Sequence, residues 1–281
     1  MINQRWQTDP ERIAVKKEIK KIFGERVFGI DPMKIPGRSA HDGSKGHWLQ
    51  KQFGLDPDAK NAPDFKGFEC KDDTRDKTTF GDWSADSYLF FTHAKCAQSP
   101  IAAAKCDKCR DSSLSRPEFL RIFGAPNLDK GGRNSWSGTV FPKVDHWNVA
   151  GQRLEVTSDG DITAVYDFAQ DQRTTRSLVP VALRGPEIAL ANWSSAGLQL
   201  RLERKFKVHG WFKCLQEFNG KGRYVAIKFG GPIEFAYWIE KVRSGTIYLD
   251  SGMYDTNPRP YSNWRAPNHF WGTMVEETYR G

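Results

Sequence analysis

The chain has 281 residues, 38% of them hydrophobic and 13% aromatic, with 42 Lys plus Arg against 34 acids and a formal charge of +8. This composition excludes a disordered chain, and ten tryptophans with eighteen phenylalanines furnish a packed core. No apolar run approaches the ~18–20 residues of a membrane helix, and the basic balance points to a polyanionic partner, nucleic acid first.

The N-terminus, MINQRWQTDPERIAVKKEIKK, lacks the apolar segment and small-residue cleavage site of a secretory signal, so a cytoplasmic location is expected. Asp9-Pro10 followed by ERIAVKKEIKKIF predicts a capped amphipathic helix with Ile13, Ile19 and Phe23 on its apolar face. A Gly-, Pro- and Ser-rich loop leads to a short helix, GHWLQKQFG, closed by Gly54. SYLFFTH (87–93) reads as a buried strand and RPEFLRIFG (116–124) as a helix with Pro near its start and Gly at its end. PNLDKGGRNS reads as a loop. Strands are expected in 138–149, 152–158 and 162–168, and a helix over 187–202. GWFKCLQEF and RYVAIKFGG alternate as a hairpin, and IEFAYWIEKVRSG is a helix feeding the strand TIYLDSGMY. The mixed order predicts an α/β fold with a mixed sheet.

Between the first two helices and the strand at 87 lies APDFKGFECK. Lys66-Gly67 suits a two-residue turn, since Gly accepts the positive φ such turns need. Folding there sets Phe65 opposite Phe68 and Asp64 opposite Glu69, with Glu69 and Lys71 on one face and Phe65, Phe68 and Cys70 on the other. Two opposed carboxylates about 5 Å apart repel each other. A hard divalent cation such as Mg²⁺ removes that cost, because it is commonly held by one or two carboxylates. The bland alternative is a solvated surface hairpin.

Five cysteines in a chain read as cytoplasmic favour metal over disulfides. His93-x2-Cys96 is followed, after nine intervening residues, by Cys106-x2-Cys109. Paired ligands two residues apart can grip a tetrahedral zinc ion from one turn each, which would make the insert 94–113 a structural Zn²⁺ site. The alternative is that Cys96 fills space and the CxxC pair is incidental. Cys70 and Cys214 read as buried thiols.

In order along the chain, DGSKGHWLQKQFGL, APDFKGFECK with its D-x4-E-x-K spacing, SYLFFTH, EFLRIFG, RLEV and IEKVRSGTIYLDSGMY resemble the MvaI/BcnI family of type II restriction endonucleases, relatives of the MutH nickase. The resemblance runs over most of 38–275. It implies a restriction-endonuclease-like core, with a mixed β-sheet flanked by helices and the Cys insert added. The implied organisation is an N-terminal helical segment (1–37) and one nuclease domain (38–281). Within that domain the catalytic part is about 38–93, the insert 94–113 and the DNA-recognition part about 125–281. The implied activity is Mg²⁺-dependent hydrolysis of double-stranded DNA at a short, CC-x-GG-like pseudo-palindrome, by a monomer that nicks one strand and then the other. A cognate methyltransferase would be its genetic partner.

Carried over residue by residue, Asp64 and Glu69 would ligate Mg²⁺ with the backbone carbonyl of Cys70, and Lys71 would orient or deprotonate the attacking water. Gln50 stands where several relatives carry an acid, so a third carboxylate is missing, although its carbonyl could meet a water on the metal. The resemblance also places His93 against the central base pair, in competition with its zinc role. Reading G needs Arg or Lys, and reading C needs an acceptor. Asp250, Asp255, Arg259, Arg265, Asn268 and His269 supply both types in one stretch. Two other readings stay open: a strand-nicking repair or phage-defence nuclease on this fold, and a zinc-stabilised DNA-binding protein without catalysis.

Overall fold

A computed structural model describes residues 4–35, 44–56 and 61–281. Of the expected loop at 29–46, residues 36–43 and with them the expected boundary at 37/38 lie outside the described residues, while Pro32–Lys34 forms a 3-10 turn and the following helix already begins at Ser44. The chain divides into two compact units, one of Met1–Thr78, Leu200–Trp238 and Ala266–Gly281, the other of Thr79–Gln199 and Ile239–Arg265.

The first unit is built on a four-stranded mixed sheet in the order Phe68–Asp72, Gly210–Gln216, Tyr224–Gly230, Val275–Tyr279. The first pair is parallel, with Glu69 beside Trp211 and Lys71 beside Lys213, and the others are antiparallel. Alternation along the strand Phe68–Asp72 sends Phe68 and Cys70 to the core and Glu69 and Lys71 to the other face. The core side is filled by Phe68, Cys70, Phe212, Cys214 and Phe229, covered by Val15, Ile19 and Phe23 of the helix Pro10–Arg26. Each such aromatic contributes roughly 1.5–3 kcal/mol by leaving water. Asp9 caps this helix by accepting from Glu11 N at 3.0 Å, and Pro10 opens it. Its buried face is Arg12, Val15, Ile19 and Phe23, whereas Ile13, expected inside, is 40% exposed. The helix Ser44–Gln52 adds Leu49 to the same core.

The second unit carries an antiparallel sheet in the order Ser87–Tyr88, Ile188–Trp193, Ile162–Asp171, Ala150–Val156, and a smaller one of Met253–Tyr254, Arg133–Trp136, Ala125–Asn127. The helix Arg116–Phe123 starts with a full capping box between Ser115 and Glu118. Its Phe119 packs on Phe90 and Trp136, and Phe123 on Tyr166, with ring centroids 4.9–5.3 Å apart. Tyr248 and Leu249 pair antiparallel with Arg265 and Trp264 in the same unit.

Several expectations are corrected here. The stretch 187–202 is not one helix: Ile188–Trp193 is a strand and the helix runs Ser195–Phe206. A short apolar run such as IALANW fits either period, and pairing on both edges decides for the sheet. SYLFFTH is a strand only over Ser87–Tyr88, because Leu89 bonds to Leu190 while Phe91 turns to Leu114. The stretch 138–149 holds a 3-10 turn rather than a strand. PNLDKGGRNS forms part of a hairpin, Ala125–Asn127 with Arg133–Trp136.

Candidate active site and metal centre

The hairpin forms as its sequence requires. Lys66 and Gly67 sit at φ 44° and 88°, and Phe65 and Phe68 exchange both backbone hydrogen bonds at 2.8 Å. The turn carries Asp64 back beside the strand, where Cys70 N donates to its Oδ2 at 2.9 Å and Gln50 Nε2 to its Oδ1 at 3.1 Å. Burial, reinforced by the charge of Glu69, raises the Asp64 carboxyl to about 6.

Glu69 is 2% exposed. Its Oε1 accepts from two ammonium groups, Lys71 Nζ at 2.8 Å and Lys205 Nζ at 2.7 Å. Its Oε2 is buried with no hydrogen-bond partner among the described residues. A buried carboxylate oxygen without a donor is costly, and a cation is what satisfies it. Two carboxylates and a buried carboxylate oxygen without a donor thus fit a hard divalent ion such as Mg²⁺, while the two lysines occupy the other oxygen of Glu69. Burial lowers the pKa of Lys71, the charge of Lys205 acts in the same direction, and its ammonium lies 5.4 Å from the Phe206 ring centroid.

Lys205 is a residue of this cluster that the sequence does not single out. Nothing in the letters links it to Glu69, 136 positions away. The link is topological: Lys205 ends a helix that feeds the strand Gly210–Gln216, and that strand pairs in parallel with Phe68–Asp72.

In the second unit His93, Cys96, Cys106 and Cys109 come together, their ligand atoms all within 4.8 Å of one another. His93 Nδ1 lies 3.4 Å from Cys106 Sγ and 4.0 Å from Cys109 Sγ. Each pair sits in one turn, with Cys96 N bonded to His93 O and Cys109 N to Cys106 O. A tetrahedral site with Zn–S near 2.3 Å puts its sulfurs about 3.8 Å apart, so the set can hold a metal ion. Burial opposes the Cys109 thiolate, but hydrogen bonds from Thr92 and His93 outweigh it and hold this thiol at about 7.

The expected recognition residues are divided between the units. In the second, Asp250 is buried with Oδ2 3.6 Å from Arg265 Nε, Asp255 accepts from Asn134 N at 3.3 Å, and Arg259 bonds Asp82 at 2.7 Å over the Tyr261 ring. In the first, His269 is exposed, and the Asn268 side chain is engaged by Thr78, Lys213 and Thr74 O at 2.6–3.0 Å.

Residues 34–279 match the LlaMI restriction endonuclease family. The chain belongs to that family. The LlaMI-type assignment agrees with a relative, the type II restriction enzyme ScrFI of Lactococcus lactis subsp. cremoris, 39% identical over 278 residues that cover 94% of this chain and 98% of that one. The fold is that of a solved restriction endonuclease, MvaI in complex with its cognate DNA substrate, with a TM-score of 0.56 at 12% identity over 94% of this chain and 97% of that one. The resemblance to MvaI read from the ordered motifs is therefore borne out, as is the mixed α/β class. As a LlaMI-family member the protein is a sequence-specific DNA endonuclease of the type II restriction class. No helix among the described residues is long and apolar enough to cross a membrane.

Proposed function

We propose that this chain is a Mg²⁺-dependent restriction endonuclease that hydrolyses both strands of DNA at a short CC-x-GG-like site, with Asp64, Glu69 and Lys71 as its catalytic set. The carrying observation is Glu69, whose one oxygen is clamped by two lysines while the other is buried and open beside Asp64. Mg²⁺ at Asp64, Glu69 and the Cys70 carbonyl would supply Lewis-acid charge against the scissile phosphate. Lys71, its proton affinity reduced by burial, is suited to take the proton of the attacking water or to steady charge on phosphorus. Lys205 keeps Glu69 oriented when Lys71 turns to the substrate. Gln50 holds Asp64 through its amide and supplies no carboxylate.

In this reading Asp250, Asp255, Arg259, Arg265, Asn268 and His269 face the DNA, Arg for guanine and the acids for cytosine, while His93 goes to the metal cluster rather than to the central base pair. The enzyme acts as a monomer in the cytoplasm, nicking the strands in turn, and a methyltransferase protects the host. The Cys and His cluster takes a structural zinc. Digestion of unmethylated plasmid with Mg²⁺, beside Asp64→Ala and Lys71→Ala, tests the catalytic assignment. Discrete bands from the wild type alone are expected. Equal cutting by the variants would remove these residues from the mechanism, and no cutting by any of the three would overturn the nuclease reading.

A further inference from the structure

The segment from His93 to Leu114 has little apolar substance of its own. Its core is Cys96, Ala103 and Cys109, with Phe91 and Cys106 packed against them. Its two helices, Ala94–Gln98 and Pro100–Ala104, are five residues each. Helices that short do not persist in water without tertiary support, and three small side chains supply little of it. The segment nonetheless ends in an ordered attachment. Ser113 N and Leu114 N donate to Leu89 O, Phe91 N donates to Leu114 O, and Ser112 Oγ donates to the carbonyls of Tyr88 and Phe90. Ser115 follows at once and caps the helix Arg116–Phe123.

Resting on the reading of the cluster as a zinc site, we infer that residues 93–114 are a module folded by zinc, and that the ion thereby holds the start of the helix Arg116–Phe123 in place for contact with DNA phosphate. The ligands are His93 Nδ1 and the thiolates of Cys96, Cys106 and Cys109, whose protons pass to solvent as the ion binds. Four protein ligands close the site, so its work is structural. Ligation through Nδ1 leaves the His93 Nε2 as a donor on an exposed residue. Thr92, His93, Ser115, Arg116 and Arg259 line one cavity of about 330 Å³. Arg116 Nε is buried with no acceptor among the described residues, while its Nη2 is held by Asn257 O. A guanidinium and an imidazole lining the same cavity suit a phosphodiester oxygen.

The test measures metal and structure rather than cleavage, so it is independent of the nuclease reading. Purified protein is assayed for zinc, loaded with Co²⁺ to look for a thiolate charge-transfer band, then stripped with a zinc-selective chelator and refilled. Lys95, Lys105, Lys108 and Arg110 are exposed, so trypsin reports on the module directly. One zinc per chain is expected, with new tryptic cuts at those four residues on stripping, reversal on refilling, and DNA affinity in Ca²⁺ reduced about tenfold, as for loss of a charge-assisted contact. Cys106→Ser should weaken zinc binding by more than about 100-fold, beyond the effect of an outer-shell change. Protein without zinc and without a Co²⁺–thiolate band overturns both the zinc reading and the inference. Zinc that can be removed with no new tryptic cuts leaves the zinc reading standing and overturns the inference. New cuts with DNA affinity unchanged overturn the role given to the helix start.

Discussion

In the proposed mechanism the chemistry concentrates on Glu69, because two ammonium groups share its Oε1 while Oε2 stays buried without a donor among the described residues. Glu69→Gln keeps the shape but removes the charge that a cation and both lysines answer. Its cleavage rate should fall by roughly 10²–10⁴, and the rise in melting temperature that Ca²⁺ gives the wild type should vanish. A Ca²⁺ shift retained in the variant would place the ion elsewhere. Asp64 gives a pH dependence whose sign follows from its raised pKa. With the folded value near 6 and the ordinary value 3.8, the folded protein holds the proton more tightly. The stability this group contributes to the metal-free protein is full below 3.8 and is lost as pH rises through about 6. Cleavage at limiting Mg²⁺ should move oppositely, falling as pH drops through about 6, because a protonated carboxyl does not hold the ion. Metal-free Asp64→Asn should accordingly be ~1 kcal/mol more stable than wild type at pH 8, after discounting for partial exposure, with the gap about halved at pH 5 and closed only below about 3.8. Paired urea titrations at the two pH values decide it, and a gap that is the same at both would remove Asp64 as the titrating group.

At the scale of elements, the hairpin that carries the candidate site was legible in the sequence because its information is local. A Gly in a two-residue turn, alternating faces and acid spacing all act within eight positions. The helix starts were legible for the same reason, through Asp9-Pro10 and Ser115 with Glu118. The stretch 187–202 was not, because IALANW becomes a strand through partners 22 to 31 and 103 to 105 residues away, in residues 162–166 and Ser87–Tyr88. The turn itself can be tested. A Cβ at Gly67 would sit 2.5 Å from His209 Cδ2 and 2.8 Å from Val208 Cγ1, on a backbone at φ +88°. Gly67→Ala should therefore cost about 1–3 kcal/mol and reduce cleavage more than a surface Gly→Ala control, since Asp64 is positioned by this turn. A variant with wild-type urea midpoint and cleavage would mean that the turn does not set the site.

At the scale of the whole chain, the sequence showed the family through the order of its motifs, each weak alone. It did not show which distant residues meet. Lys205 reaches Glu69 only because a parallel strand pair aligns their elements, and parallel pairing leaves no local mark in the letters. Arg12 was hidden in the same way, on a helix whose other buried residues are apolar. It is 1% exposed, and it donates through Nε to His209 O at 2.9 Å, through Nη2 to Gly230 O at 3.2 Å, and to Glu276 Oε2 at 2.7 Å. One guanidinium thus ties the first helix to the start of one strand, the end of the next and the C-terminal strand of the first unit. Arg12→Ala strands two buried carbonyls and a partly buried carboxylate, which should destabilise the protein by about 3–5 kcal/mol, as when one partner of a buried ion pair is removed. The urea midpoint should fall with the slope m unchanged. Adding Glu276→Gln to Arg12→Met should recover part of the loss, because the remaining cost of the single variant is an unanswered charge. If the double variant is less stable than Arg12→Met alone, Glu276 is satisfied by Trp6 and Lys16, which lie 2.6 and 3.7 Å from it, and the carbonyls carry the loss.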